Sequence, residues 1–147
     1  MKYRLIADSG CDLTPELIES LDARSVPLIM TLGDDVYVDD DHLDVDNFVK
    51  KMNLFKGRAM SSCPSPQSYC NEFAKDKMNF VITLSSQLSG SYSSALIGKN
   101  LAEEDGTEVH VFDSKSATAG ELLIGLKIKE LVESGMEKMN IIETVEE

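Results

Sequence analysis

Tryptophan is absent, and tyrosine and phenylalanine number only four and five, so a core in this chain must rest on Leu, Ile, Val and Met. Cysteine is sparse. Cys11, Cys63 and Cys70 form no C-x-x-C pair, and an odd number leaves a thiol unpaired under any disulfide scheme. Reduced thiols are the expectation, and with no Cys or His at zinc spacing a metal site is not expected. Positive charge is scarce as well: 14 Lys and Arg against 26 Asp and Glu give a net charge of -12. That balance opposes the phosphate neutralisation on which nucleic-acid binding depends. It would also be repelled by anionic lipid headgroups, and no basic amphipathic stretch offsets it. Long apolar runs are missing too. Met1 to Asp8 turns polar too early for a secretory segment, and no run is long enough to span a bilayer. A cytoplasmic protein that is not membrane-embedded is therefore expected, and any lipid it handles should enter a pocket.

What is present suits a single α/β domain over residues 1–147. The length allows a real core, with 42% of the residues hydrophobic. Tyr3 to Ala7 reads as a strand stopped by Asp8-Ser9-Gly10, and Thr14-Pro15 opens a helix with Thr as cap and Pro at its first position. Val26 to Leu32 reads as a second strand, turning at Gly33-Asp34-Asp35 into a short hairpin strand at Val36 to Val38. The acidic stretch Asp39 to Asp46 leads into an amphipathic helix carrying Phe48, Val49 and Met52. Another helix starts after Pro66 and carries Tyr69, Cys70 and Phe73. Phe80 to Leu84 is an unbroken apolar strand, as expected when both faces are covered. A helix through Ala95 and Leu101, a strand at Val109 to Phe112 and a helix from Ala119 to Ser134 follow. Strands alternating with helices predict a mostly parallel sheet flanked by helices. The last segment, Met136 to Glu147, has helical spacing but no closing cap, which leads to the expectation of a longer protein.

In open α/β sheets, ligands bind beyond the carboxyl ends of the strands, where loops expose backbone amides and helix N-termini. Three strands here end in serine-bearing loops: Asp8-Ser9-Gly10, Ser85 to Ser91, and Asp113-Ser114. The loop Ser61-Ser62-Cys63-Pro64-Ser65-Pro66 has similar composition. Turn chemistry alone accounts for any one of them. Together they predict one crevice of hydroxyls and amides that holds an anionic head, a carboxylate or a phosphate, by neutral donors.

The order of these motifs resembles the DegV family from the first strand to the end of the chain. Asp8-Ser9-Gly10-Cys11-Asp12-Leu13 is similar to the family's D-S-x-x-D-L, and Val26-Pro27-Leu28 to its V-P-L. Ser61 to Pro66 resembles T-S-Q-P-S-P, Ser85 to Tyr92 resembles S-S-x-L-S-G-T-Y, and Val111 to Ser114 resembles V-x-D-S. The resemblance implies Rossmann-like layers and a fatty-acid-binding protein without catalytic residues or cofactor. The carboxylate of a long-chain fatty acid would meet Ser62 and Ser89, with Ser61 and Gly90 beside them. Asp8, Ser9, Ser86, Ser91, Asp113 and Ser114 would support the strand-end loops. It further implies a bacterial carrier that presents the acid to a separate kinase subunit, which makes the acyl phosphate. The chain would be the N-terminal part of a two-domain protein whose second domain closes over the lipid. Ser61 and Ser91 stand where the family has Thr, and both keep a hydroxyl. Cys63 replaces a Gln, a larger change in polarity.

The alternative is a serine-dependent hydrolase or phosphotransfer enzyme using the Ser85–Ser91 loop, with a His base and an Asp orienter. His42 lies in an acidic loop and His110 in an apolar strand, and G-x-S-x-G, G-x-G-x-x-G and the phosphate-binding lysine loop are all lacking. Asp39, Asp40, Asp41, Asp44 and Asp46 lack the central Gly and closing Glu of a calcium loop. They read as a solvated helix entry.

Overall fold

The computed structural model describes residues 1–147. In chain order its elements are β1 (Tyr3–Asp8), α1 (Pro15–Ser20), β2 (Ala23–Val26), β3 (Ile29–Leu32), β4 (Asp35–Val38), α2 (Val45–Leu54) and β5 (Ala59–Ser62). They continue with α3 (Pro66–Glu72), β6 (Met78–Thr83), α4 (Ser91–Glu103), β7 (Val109–Asp113), α5 (Ala119–Glu133) and α6 (Lys138–Glu146). Four strands form a parallel sheet in the order β2-β1-β6-β7. The other three form a small antiparallel sheet in the order β4-β3-β5. The expected α/β class with a mostly parallel sheet flanked by helices is what the chain adopts.

Alternation along the strands fills both faces of the parallel sheet. Leu5, Phe80, Ile82 and Phe112 pack on one side with Ile128 and Leu131 of α5 and Ile141 of α6. Ile6, Val81, Val109 and Val111 pack on the other with Tyr69 of α3 and Ala95 of α4. Every residue of β6 is buried, which is why its sequence carries no polar alternation. Its two polar residues are both satisfied, Asn79 by the backbone of Ala74, Lys77 and Glu108 and Thr83 by Phe112 O. Side-chain caps open three helices: Thr14, the cap expected from sequence, accepts from Leu17 N, and Asp44 and Ser65 accept from Asn47 N and Ser68 N.

Two expectations need correction. Val26 to Leu32 is not one strand: the chain leaves the parallel sheet after Val26 and enters the antiparallel sheet at Ile29. Pro27 has no N–H to give a ladder, and the N–H of Leu28 goes to Ser9 Oγ at 3.0 Å. Ser61 and Ser62 are not in a loop either; they end β5, with Ser62 opposite Ile29 and Ser61 opposite Met30. A four-residue strand with every residue exposed leaves no hydrophobic alternation to detect.

The antiparallel sheet and α2 form a thinner layer in which α2 buries no residue, and Tyr37 packs edge-on against Phe48 at 4.9 Å. No helix is long and apolar enough to cross a membrane.

Stability should therefore depend unequally on the two layers. Phe80→Ala, at a site with no solvent exposure, is expected to cost about 3–5 kcal/mol. Leu54→Ala, at a site 80% exposed, should cost about 0.5 kcal/mol or less. Urea midpoints of the two variants check this difference; equal losses would contradict the assignment of the core.

Candidate functional site

Because β1, β6 and β7 are parallel, the segments following them emerge at one edge of the sheet, and hydrogen bonds tie them together. Asp8 ends β1 with no solvent exposure. Its Oδ1 accepts from Gly10 N at 3.1 Å and its Oδ2 from Leu84 N at 2.8 Å, which fastens the first segment to the second. The second is fastened to the third by Ser85 N donating to Ser116 O, and by Ser86 donating to Asp113 through its N and Oγ at 3.0 and 2.6 Å. Thr118 N donates to Gly10 O and closes the ring. Ser9 and Ser114 are held in the same ring, Ser9 accepting from Leu28 N and Ser114 donating to Ser116 O.

Charge in this ring is strongly tuned. Burial opposes ionisation of Asp113, but the Ser86 Oγ and N and the Lys115 N more than compensate and hold its pKa below the ordinary value. Asp8 goes the other way: burial raises it, and bonds from Leu84, Ser91 and Gly10 only partly offset the rise. Glu121, in the first turn of α5, has no exposure and lies near Asp8. Burial and repulsion by Asp8 push its pKa up to about 8, against the hydrogen bond from Thr118 N to Oε1. Its Oε2 has no partner, and it lines a small apolar pocket with Leu5, Cys11, Leu13, Leu21 and Leu122. Sequence reasoning missed Glu121; the Thr118-x-x-Glu121 spacing signals a capping box but not the burial.

The Ser85–Ser91 segment turns back on itself through Leu88 N and Ser89 N, which both donate to Ser85 O. Ser89 is half-buried, and its Oγ lies 2.9 Å from Ser91 Oγ and accepts from Ser91 N at 3.2 Å. Gly90 precedes the first turn of α4, and a Cβ placed on it would sit 3.0 Å from Cys63 Sγ. A larger residue there would require the Cys63 side chain to give way by a few tenths of an ångström. Ser94 Oγ donates to Pro64 O. These contacts dock the end of β5 onto the N-terminus of α4 and bring Ser62 and Ser89 to the same region of the sheet edge.

The expected residues divide into groups. Ser89 and Gly90 border the docked β5 end. Ser61 and Ser62 are exposed, and a pleated strand sends them to opposite faces, so they are not equivalent. Asp8 and Ser91 are fully buried and act behind the surface. Ser86 and Asp113 bond each other beside an open depression that Lys115 also lines. Two exposed apolar residues flank the hydroxyls: Met60, two positions before Ser62 on its face of the strand, and Leu88, at 60% and 72% exposure. His110 pairs with Glu146 at 2.9 Å and stacks edge-on against Phe112. His42 is exposed beside Asp41.

A family model described as an uncharacterised protein of the DegV family matches residues 2–147. The chain belongs to the DegV family. A DegV domain-containing protein of Streptococcus pneumoniae is 36% identical over 99% of this chain and 53% of its own length. A solved DegV-family protein from Ruminococcus gnavus with vaccenic acid superposes with a TM-score of 0.92 at 38% identity, covering 98% of this chain and 53% of that one. The Streptococcus pneumoniae fatty acid kinase (Fak) B3 protein, loaded with linoleic acid, gives 0.85 at 36% identity, covering 99% and 53%. This DegV chain thus spans about half the length of the relatives it matches.

Protonated Glu121 stabilises the fold in a definite pH window. Its folded pKa of about 8 lies above the ordinary 4.5, so the folded state binds the proton more tightly. The contribution is complete below about pH 4.5 and is lost as pH rises to about 8. Glu121→Gln keeps the carbonyl that accepts from Thr118 N and removes the titration. Thermal unfolding from pH 5 to 8 should show the parent losing more stability than the variant, whereas parallel profiles would contradict the buried-acid assignment.

Proposed function

We propose that this chain forms the head-group half of a two-domain carrier that holds a long-chain fatty acid by its carboxylate and presents it to a separate kinase subunit. The observation that carries this reading is the docking of β5 against the start of α4, with Cys63 against Gly90 and Pro64 bonded to Ser94. It sets the segments that carry two serine motifs far apart in sequence against each other, which supports reading their hydroxyls as one group of neutral donors. Exposed Met60 and Leu88 beside the hydroxyls favour an amphiphile over inorganic phosphate. Relatives solved with vaccenic and linoleic acid support the ligand class, and the fatty acid kinase B3 protein among them supports the kinase partner. On this reading the hydroxyls of Ser62 and Ser89 donate to the carboxylate, and the tail is buried against the second domain at about 0.8 kcal/mol per methylene. Phosphoryl transfer to the carboxylate belongs to the kinase, and this chain contributes orientation and exclusion of water.

In the full-length protein, Ser62→Ala and Ser89→Ala should each weaken fatty-acid binding about tenfold or somewhat more, since a hydrogen bond to a charged group contributes about 1.5–3 kcal/mol. Titration with palmitate and with its methyl ester separates head-group recognition from tail burial: both substitutions should matter for the acid and little for the ester. If both variants bind the acid as tightly as the parent at matched folded fraction, the carboxylate is held elsewhere.

A further inference from the structure

The segments that emerge at the carboxyl edge of the strands are 9–14, 27–28, 63–65, 84–90 and 114–118, and Lys115 is the single Lys or Arg in all of them. In a chain of net charge -12 that edge otherwise repels anions. Lys115 is exposed, and its ammonium belongs to none of the eight ion pairs of the molecule. Its charge is open to a ligand.

The backbone presents this side chain from a fixed frame. Lys115 sits in the left-handed region at φ 51, which glycine adopts freely and a side chain such as lysine disfavours. Its N–H donates to Asp113 Oδ1 at 3.1 Å, the oxygen that also accepts from Ser86 N, and Ser116 O beside it accepts from Ser85 N. Lys115 lines two depressions, one reaching Leu88 and the other Tyr92. These two residues bracket Ser89, Gly90 and Ser91. Asp113 borders both depressions as well, but its carboxylate is engaged by Ser86 N, Ser86 Oγ and Lys115 N.

We infer that Lys115 is the phosphoryl-binding residue of this site, taking the phosphate end of the acyl phosphate while Ser62 and Ser89 keep the acyl end. The inference rests on the reading that these serines hold the carboxylate. In the transfer, a carboxylate oxygen bonds to the terminal phosphorus of a nucleoside triphosphate held by the kinase. The bond from that phosphorus to the nucleoside diphosphate breaks, and its electron pair leaves with the diphosphate. A carboxylate carries one negative charge, whereas a phosphoryl group carries about 1.5–2 at neutral pH. Neutral hydroxyls serve the first, and the added charge calls for a cation. Lys115 therefore discriminates product from substrate.

The test compares two ligands on the full-length protein: palmitate, and the β-ketophosphonate analogue of palmitoyl phosphate, in which a methylene replaces the bridging oxygen. Lys115→Gln removes the charge but keeps a long side chain on the same backbone, and thermal unfolding checks that the fold is kept. It should weaken binding of the analogue by about tenfold and of palmitate by about twofold or less. Lys115→Arg should restore binding of the analogue. In the parent, raising salt from about 0.05 to about 0.5 M should erode affinity for the analogue more than for palmitate. Equal losses for the two ligands in Lys115→Gln, no loss for either, or equal salt dependence in the parent would each overturn the inference and leave the serine site standing. If Ser62→Ala and Ser89→Ala bind palmitate like the parent, the underlying reading fails and the inference falls with it.

Discussion

At the end of β1 a carboxylate with no contact to water receives two backbone N–H groups, one from its own turn and one from Leu84 across the sheet. A buried charge is costly unless it is hydrogen-bonded, so Asp8 constrains the path of any chain that surrounds it. Leu84 must leave β6 towards β1, and the Ser85–Ser91 segment must begin from there. Its far end is Ser91, which is as fully buried as Asp8. The Ser86–Asp113 and Thr118–Gly10 bonds then fix the third segment relative to the first two.

The small antiparallel sheet depends on this frame. Pro27 ends pairing with β1, and Ser9, held in the turn that Asp8 caps, captures the next free N–H at Leu28. β3 therefore starts at the carboxyl edge of the parallel sheet. Since β5 runs antiparallel to β3, its last residue arrives at that same edge. A strand with every residue exposed contributes little burial energy, so its place is set by pairing with β3 and by the contacts of Cys63 and Pro64 with α4.

Much of this was legible in the sequence, for physical reasons that differ by element. Fully buried β6 announces itself by the apolar run that starts at Phe80, and Thr14 announces a helix because it satisfies an amide that the first turn leaves open. The clustering of Ser9, Ser86, Asp113 and Ser114 at one edge follows from parallel strands alone. Less was legible where tertiary partners decide. Val26 to Leu32 has strand composition throughout, and only the Ser9–Leu28 bond shows where it divides. β5 lacks a periodic signal. The resemblance puts Ser91 among the supporting residues, but nothing local reveals that it is fully buried. Glu121 reads as a capping glutamate, and nothing local reveals that Asp8 stands beside it.

The account centres on Ser62 and Ser89 as joint donors to one carboxylate, in a cradle that Asp8 holds from behind. A crystal structure of the full-length protein with a bound long-chain fatty acid tests this most directly. The account requires one carboxylate oxygen or both to lie within about 2.5–3.0 Å of the Ser62 and Ser89 Oγ atoms, with the acyl chain leaving past Met60 and Leu88. A carboxylate seated instead in the depression lined by Ser86, Asp113 and Lys115, with neither Ser62 nor Ser89 in contact with it, would contradict the account.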